Sequence, residues 1–214
     1  MAQLDRRRPD RFKAPETEIA AVSKTEGGAR QGRARALASR LGGKPLVLVG
    51  MMGAGKTTVG RRIASRLGRQ FIDSDEEIER AAQMTIPEIF EQRGEPEFRA
   101  GEMRVISRLL KEKDILLATG GGAFINAETR ALIKAEAVSV WLKADLDVLF
   151  ERVSRRSNRP LLKTADPKGT LEKLIEERYP IYAEADITVV SRDVPQDHVA
   201  ADVIAAVLHY LKTT

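Results

Sequence analysis

The chain predicts an α/β fold of three layers, with helices on both faces of a central, parallel, five-stranded sheet, and three observations carry that prediction. Short apolar runs alternate with helix-patterned segments along the chain, which is the repeat that builds a parallel sheet. Runs such as Leu46-Val-Leu-Val49, Ile115-Leu-Leu-Ala118 and Val138-Ser-Val-Trp-Leu142 do not alternate with charged residues, so both of their faces are suited to burial. Three of the run ends carry glycine or acidic clusters, at Gly50 to Thr57, Asp73 to Asp75 and Gly120 to Gly122. In sheets of this kind ligands gather beyond the carboxyl ends of the strands.

The first strand is Pro45 to Val49, and it ends at Gly50-Met-Met-Gly53-Ala54-Gly55-Lys56-Thr57, a complete GxxxxGK[ST] sequence. The helix that follows spaces Val59, Ile63 and Leu67 one turn apart, so the motif sits between a strand and a helix, as a phosphate cradle does. Its glycines let the main chain reach angles closed to other residues and bring amides up to phosphate oxygens. The helix adds the positive end of its dipole. Lys56 supplies a point charge for the β- and γ-phosphates, and the Thr57 hydroxyl supplies a ligand for magnesium.

Gly68 closes that helix, and Gln70 to Ile72 is a second strand ending in Asp73-Ser-Asp75, followed by a helix from about Glu76 to Gln83. Thr85-Ile-Pro87-Glu88 is a capping box with proline in the first turn, opening a helix that carries Ile89 and Phe90 and stops near Gly94. Phe98, Val105, Ile106, Leu109 and Leu110 predict another helix between Glu95 and Lys113. Ile115 to Ala118 is the third strand and leads into Thr119-Gly-Gly-Gly122; Asn126 caps the next helix, and Val138 to Leu142 is the fourth strand. Asp145 caps a helix to about Ser154, and a loop from Arg155 to about Pro167 precedes a helix through Glu184. Ile187 to Val190 is the fifth strand, and Pro195 begins a helix with Val199, Val203, Ile204, Val207, Leu208 and Leu211 on one face.

At 214 residues the chain fits one domain with a self-sufficient core and a tail. It has no cysteine, which excludes a disulfide scaffold or a thiolate zinc site and favours a cytoplasmic enzyme. No apolar stretch approaches the ~20 residues of a membrane span, so a soluble protein is expected; a monomer is a separate expectation. The net charge of +5 is local: residues 1–43 hold ten Lys or Arg against five acids, and the remainder holds 26 of each. Residues 1–43 therefore read as a basic, flexible extension, and residues 44–214 as a single neutral domain. The extension suits a solvated tail, a nucleic-acid-binding arm or an organellar address, with its interspersed acids favouring the first. His198 and His209 lie far along the chain from every motif and read as surface or packing residues.

Two further stretches complete the pattern, Phe90-Glu-Gln-Arg-Gly94-Glu-Pro-Glu-Phe98-Arg99 and Ser157-Asn-Arg159-Pro-Leu-Leu162. Together with the phosphate loop, Asp73-Ser-Asp75, the triple glycine and Glu177-Arg178-Tyr-Pro-Ile-Tyr182, they closely resemble the shikimate kinases over about residues 45–191. The resemblance implies a P-loop fold of the nucleoside-monophosphate-kinase-like group. It also implies transfer of the γ-phosphoryl of ATP to the 3-hydroxyl of shikimate, on the route to aromatic amino acids, with magnesium as cofactor. Nucleotide contacts would fall on Gly53, Ala54, Gly55, Lys56, Thr57 and Thr58, with Arg152 beside the adenine and Arg159, in a mobile lid over about 155–167, reaching the transferring phosphate. Asp75 would hold the shikimate hydroxyls, Arg99 and Arg178 its carboxylate, and the main chain of Gly121 and Gly122 its ring. Magnesium would contact Thr57, with Asp73 helping through water; Lys56, Asp75 and Arg159 would be the catalytic set.

Each role suits its residue. Guanidinium forks bind a carboxylate through paired donors, and an ionised aspartate accepts from vicinal hydroxyls. With an ordinary pKa near ~4, far below an alcohol's, that aspartate orients the hydroxyl rather than deprotonating it early. Plainer readings stand beside these: Arg99 paired with Glu95 or Glu102, Arg178 with Glu176 or Glu177, Asp73 and Asp75 capping a helix, and Glu102 orienting Arg99. The third strand has no aspartate at its carboxyl end, so Asp73 must substitute for the usual magnesium-holding acid. The competing functions are a gluconate-kinase-like enzyme with the same phosphate loop, and a nucleotide-dependent nucleic-acid-binding protein using the basic extension.

Overall fold

In the computed structural model, which describes residues 16–155 and 164–214 (side chains from residue 28 onward, residue 30 excepted), five strands form one parallel sheet. They are β1 (Leu46–Val49), β2 (Gln70–Asp73), β3 (Ile115–Ala118), β4 (Val138–Lys143) and β5 (Ile187–Val190), in the spatial order β2-β3-β1-β4-β5. The register pairs Val47 with Leu117 on one side and with Ser139 on the other. Every residue of β1 and β3 is buried, which is the reason those strands read as unbroken apolar runs. Each fully buried Leu or Val in them contributes about 1.5–3 kcal/mol relative to exposure.

The helices are α1 (Glu16–Leu41), α2 (Lys56–Leu67), α3 (Ser74–Ala82), α4 (Ile86–Leu109), α5 (Ala127–Glu136), α6 (Leu146–Ser154), α7 (Pro167–Tyr182) and α8 (Gln196–Thr213). α2 packs on α8, and α1 lies against both; α4 packs on α5, which covers β4. Among the described residues no helix is long and apolar enough to cross a membrane.

Local chemistry sets several boundaries. Gly68 ends α2 in the left-handed region, at φ 65°. The Thr85 hydroxyl and the Glu88 carboxylate cap each other's amides at the start of α4, and the Thr85 hydrogen bonds hold the Glu88 carboxyl below its ordinary pKa. At Gly94 (φ 80°, ψ 168°) α4 breaks into two helices meeting at an angle, as the sequence predicts. Asp145 precedes α6 but makes no side-chain capping bond.

A small second core of Ile78, Ile89 and Phe98 joins α3 to α4, apart from the main core. The main core takes in Ala34, Leu37 and Leu41 of α1, so residues 34–41 pack with the body although the sequence reading places them in the extension. Their three- and four-residue spacing is the stripe of an amphipathic helix, masked in the sequence by a small alanine and by three neighbouring arginines, Arg33, Arg35 and Arg40.

Candidate active site

The site is built where β1, β2 and β3 end. β1 runs into a loop whose Gly50 sits at φ 134°, with the carbonyl oxygen of Leu142 2.7 Å from where a Cβ would be; only glycine fits this approach. Ala54 N donates to Met51 O at 3.2 Å, which tightens the turn. Lys56 Nζ donates to Gly50 O at 2.8 Å and to Met51 O at 2.9 Å, so the loop curls around its own ammonium group. Thr57, in the first turn of α2, donates from Oγ1 to Asp73 Oδ2 at 2.9 Å.

Asp73 does two things at once. Its Oδ1 accepts from Asp75 N at 3.1 Å and caps α3, while Oδ2 faces Thr57. The capping and functional readings of this residue are therefore compatible. Between the two aspartates the fully buried Ser74 accepts from Gly120 N at 3.0 Å, tying the end of β2 to the glycine turn after β3.

Two clefts open onto these strand ends. One, of about 380 Å³, is lined by Gly53, Lys56, Thr57, Thr58, Asp73 and Arg152 among others. The second, of about 520 Å³, is lined by Phe90, Phe98, Arg99, Gly122 and Arg178, among others. Met52, Asp75, Gly120 and Gly121 line both.

In the second cleft Arg99 donates from Nη1 to Glu102 Oε2 at 2.8 Å and from Nε and Nη2 to Glu95 Oε1 at 3.2 and 3.0 Å. Burial alone would lower its pKa, but the two carboxylates more than offset that and hold it above the ordinary value. Glu102 is 2 % exposed. Burial raises its pKa, the Arg99 contact opposes the rise, and the nearby Asp75 charge adds to it. The Gly122 main chain lies so close to Arg99 that any Cβ there would overlap the guanidinium.

Arg178 reaches Gly121 O at 3.5 Å, and the same carbonyl accepts from the Tyr182 hydroxyl. Tyr182 is 1 % exposed, and burial pushes its pKa up to about 12, so it stays a donor. Its ring lies 6.0 Å from that of Trp141, which meets Tyr179 edge-on at 4.9 Å and abuts Gly50. One aromatic cluster thus ties α7, which carries Arg178, to the loop that carries Lys56.

The family model for shikimate kinase matches residues 52–208. The chain is 60% identical over 175 residues to the shikimate kinase of Rhodopseudomonas palustris, spanning 82% of this chain and 86% of that one. It is also 60% identical over 180 residues to that of Rhizobium leguminosarum, spanning 84% and 90%. The chain belongs to the shikimate kinase family. A solved shikimate kinase from Acinetobacter baumannii, in complex with shikimate, is similar at a TM-score of 0.73 and 42% identity, covering 75% of this chain and 90% of its own. A gluconokinase from Sinorhizobium meliloti, with a TM-score of 0.54 and 18% identity, shares the fold alone.

Against the shikimate kinase pattern, the structure brings Gly53, Gly55, Lys56, Thr57, Thr58, Asp73 and Arg152 to one cleft. Arg99, Gly122 and Arg178 line the other, with Asp75 and Gly121 between them. Ala54, within the loop, is buried and lines neither cleft. Arg152 is held by Gly53 O (3.4 Å), Ser191 Oγ (3.1 Å) and Arg192 O (2.8 Å), which fixes it at the cleft edge. Arg159 and most of the 155–167 segment lie outside the described residues. His198 and His209 are exposed on α8.

Three participants escape a reading by sequence. Ser74 has no signal beyond its place between two aspartates. Tyr182 lies one turn after Arg178, a spacing that shares a helix face. Gln196 begins α8 and lines the first cleft, its Oε1 2.9 Å from where a Cβ on Gly55 would stand. Among the described residues no group of three or more His, Cys, Asp or Glu forms a metal cluster. The Thr57 hydroxyl and Asp73 carboxylate, 2.9 Å apart at the cleft wall, are hard oxygen donors of the kind magnesium takes, alongside phosphate and water.

Proposed function

We propose that this chain phosphorylates the 3-hydroxyl of shikimate with ATP, the nucleotide lying in the cleft around Lys56 and the acid in the cleft around Arg99. The observation that carries this reading is the wall shared by the two clefts, where Asp75, Gly120 and Gly121 face both. A γ-phosphate and an acceptor hydroxyl placed on either side of that wall are neighbours, and neighbourhood with correct orientation is a large part of catalysis for phosphoryl transfer.

In this reading Arg99 and Arg178 grip the substrate carboxylate, and the Gly121–Gly122 main chain seats the ring. Asp75 accepts a hydrogen bond from the acceptor hydroxyl and aims its oxygen at the γ-phosphorus; as the new O–P bond forms, the bond to the β–γ bridging oxygen breaks, and the hydroxyl proton passes late in the transfer to Asp75 and from it to water. Lys56 moves from its own loop carbonyls to the β- and γ-phosphates, and Arg159 adds positive charge from the lid over 155–167. These groups balance charge that spreads over the transferring oxygens in a loose transition state. Thr57 and Asp73 would hold magnesium, which when bound neutralises phosphate charge. A closed lid would keep water from competing as acceptor. We read the enzyme as a cytoplasmic monomer acting on small molecules.

The test is an ADP-release assay on the full chain with shikimate, with gluconate and with no added acceptor. Shikimate-dependent release alone is expected; release of similar rate with gluconate would move the assignment to the neighbouring kinase class. ADP release that depended instead on single-stranded nucleic acid and fell steeply with salt would favour the basic extension as the working part.

A further inference from the structure

Arg99 stands in the acceptor cleft with its fork already filled. Both donors of its Nε/Nη2 edge point at one oxygen, Glu95 Oε1, at 3.2 and 3.0 Å, and its Nη1 donates to Glu102 Oε2 at 2.8 Å. A guanidinium takes a carboxylate best through two parallel donors on one edge. With Nη1 engaged by Glu102, the edge that offers such a pair is the one Glu95 covers.

The two glutamates differ in how firmly they are placed. The Glu102 side chain is 2 % exposed, whereas that of Glu95 is 62 % exposed, one helical turn before Arg99. Glu95 also follows the break at Gly94, so it opens the second half of α4. There the helix amides and dipole favour a negative charge wherever the side chain turns. A carboxylate displaced from Arg99 therefore keeps water and a helix N-terminus as partners.

Resting on the reading in which Arg99 holds the acid of the substrate, we infer that Glu95 is an internal stand-in for that carboxylate, displaced when the acceptor binds, and that it thereby sets the acceptor's affinity. An exposed ion pair of this kind is weak enough to yield. A carboxylate that brings further contacts, to Arg178 and the Gly122 main chain, wins the exchange. An anion with the Arg99 contact alone gains little, because it trades one carboxylate partner for another. This matters in a cleft that shares a wall with the site of a polyphosphate, where a bare guanidinium would attract the wrong anion.

Glu95→Gln removes the competing charge and leaves the exposed side chain its size. The expected result is a two- to five-fold fall in both the KM and the calorimetric Kd for shikimate, about the worth of an exposed ion pair, with kcat and the KM for ATP unmoved. Glu97→Gln makes the same change of charge on the same helix, at a residue paired with Arg104 instead (3.3 Å), and should leave shikimate affinity unchanged. An unchanged or weakened affinity in Glu95→Gln would overturn the inference, as would an equal gain in Glu97→Gln, which would make the effect one of general charge. Arg99→Lys keeps the charge and loses the fork. If it leaves the KM for shikimate unmoved, the assignment of Arg99 itself is lost; if it raises the KM while Glu95→Gln fails, only the stand-in role is lost.

Discussion

Replacing Asp73 by asparagine separates the two jobs of that side chain. One oxygen caps α3 by accepting from Asp75 N at 3.1 Å, and the other faces the Thr57 hydroxyl at 2.9 Å. Asparagine is as good a cap as aspartate, so its oxygen can keep the first bond. What the helix loses is a full negative charge at its positive end, about 0.3–1 kcal/mol. For a domain of this size that is a fall in Tm of roughly 1–4 °C. The Thr57 side of the residue changes more, since an amide NH₂ donates where the carboxylate accepted, and it carries no charge for a cation. Loss of such a supporting group costs typically about 10- to 100-fold in metal affinity. Initial rates measured against free magnesium, at fixed ATP and saturating shikimate, should therefore show half-saturation displaced by that factor, with the KM for shikimate unaltered. Superimposable magnesium curves for parent and Asp73→Asn would refute the argument that Asp73 replaces the acid missing after β3. A Tm loss beyond about 8 °C would show that the residue is chiefly structural.

Three further outcomes are expected. Lys56→Ala removes one preorganised donor and should cut turnover by about 10²- to 10³-fold, so near-normal turnover would contradict the phosphate role. Gly122→Ala places a Cβ into the Arg99 guanidinium at a backbone angle that alanine tolerates (φ −94°). Losing a charge-assisted contact worth about 1.5–3 kcal/mol should raise the KM for shikimate about 10- to 100-fold and spare that for ATP, and equal losses for both substrates would argue for general disruption. Glu102 has a folded pKa raised above its ordinary 4.5, so its contribution to stability is fully present below about pH 4.5 and is lost as pH rises through the folded value. The Tm of Glu102→Gln should therefore gain on the parent's as pH climbs from 4.5, and a difference that stays flat with pH would count against a raised pKa.

How much of this was legible in the sequence depends on how local each cause is. The strands matched to within about a residue: β1, β3 and nearly all of β4 are buried without a break and leave no alternation of polar positions to confuse the pattern, while β2 and β5, only partly buried, are bounded by turn residues on either side. The Thr85 capping box and the Gly94 break were readable because both are settled by neighbours a few residues apart. The same holds for the phosphate loop, whose conformation depends on its own glycines. What escaped was set by distant partners. Ser74 matters only because Gly120 comes beside it, and Tyr182 only because its hydroxyl meets Gly121 across the sheet ends. Ala34, Leu37 and Leu41 have somewhere to dock only once α2 and α8 are in place. Arg99 could be read as an ion-paired helix residue or as a ligand for an acid, and the structure shows it ion-paired on the wall of the second cleft.

The thinness of the partition between the clefts has a consequence for inhibitor chemistry. Met52, Asp75, Gly120 and Gly121 border both spaces, so, on the proposed placement of ATP and shikimate, one molecule carrying an adenosine polyphosphate at one end and a carbocyclic acid at the other would occupy both through a short tether. Its second half would then dock at a local concentration fixed by the tether rather than by the bulk solution. Discrimination from other ATP-using enzymes would reside in the acid half, where Arg99, Arg178 and the Gly122 main chain line the cleft.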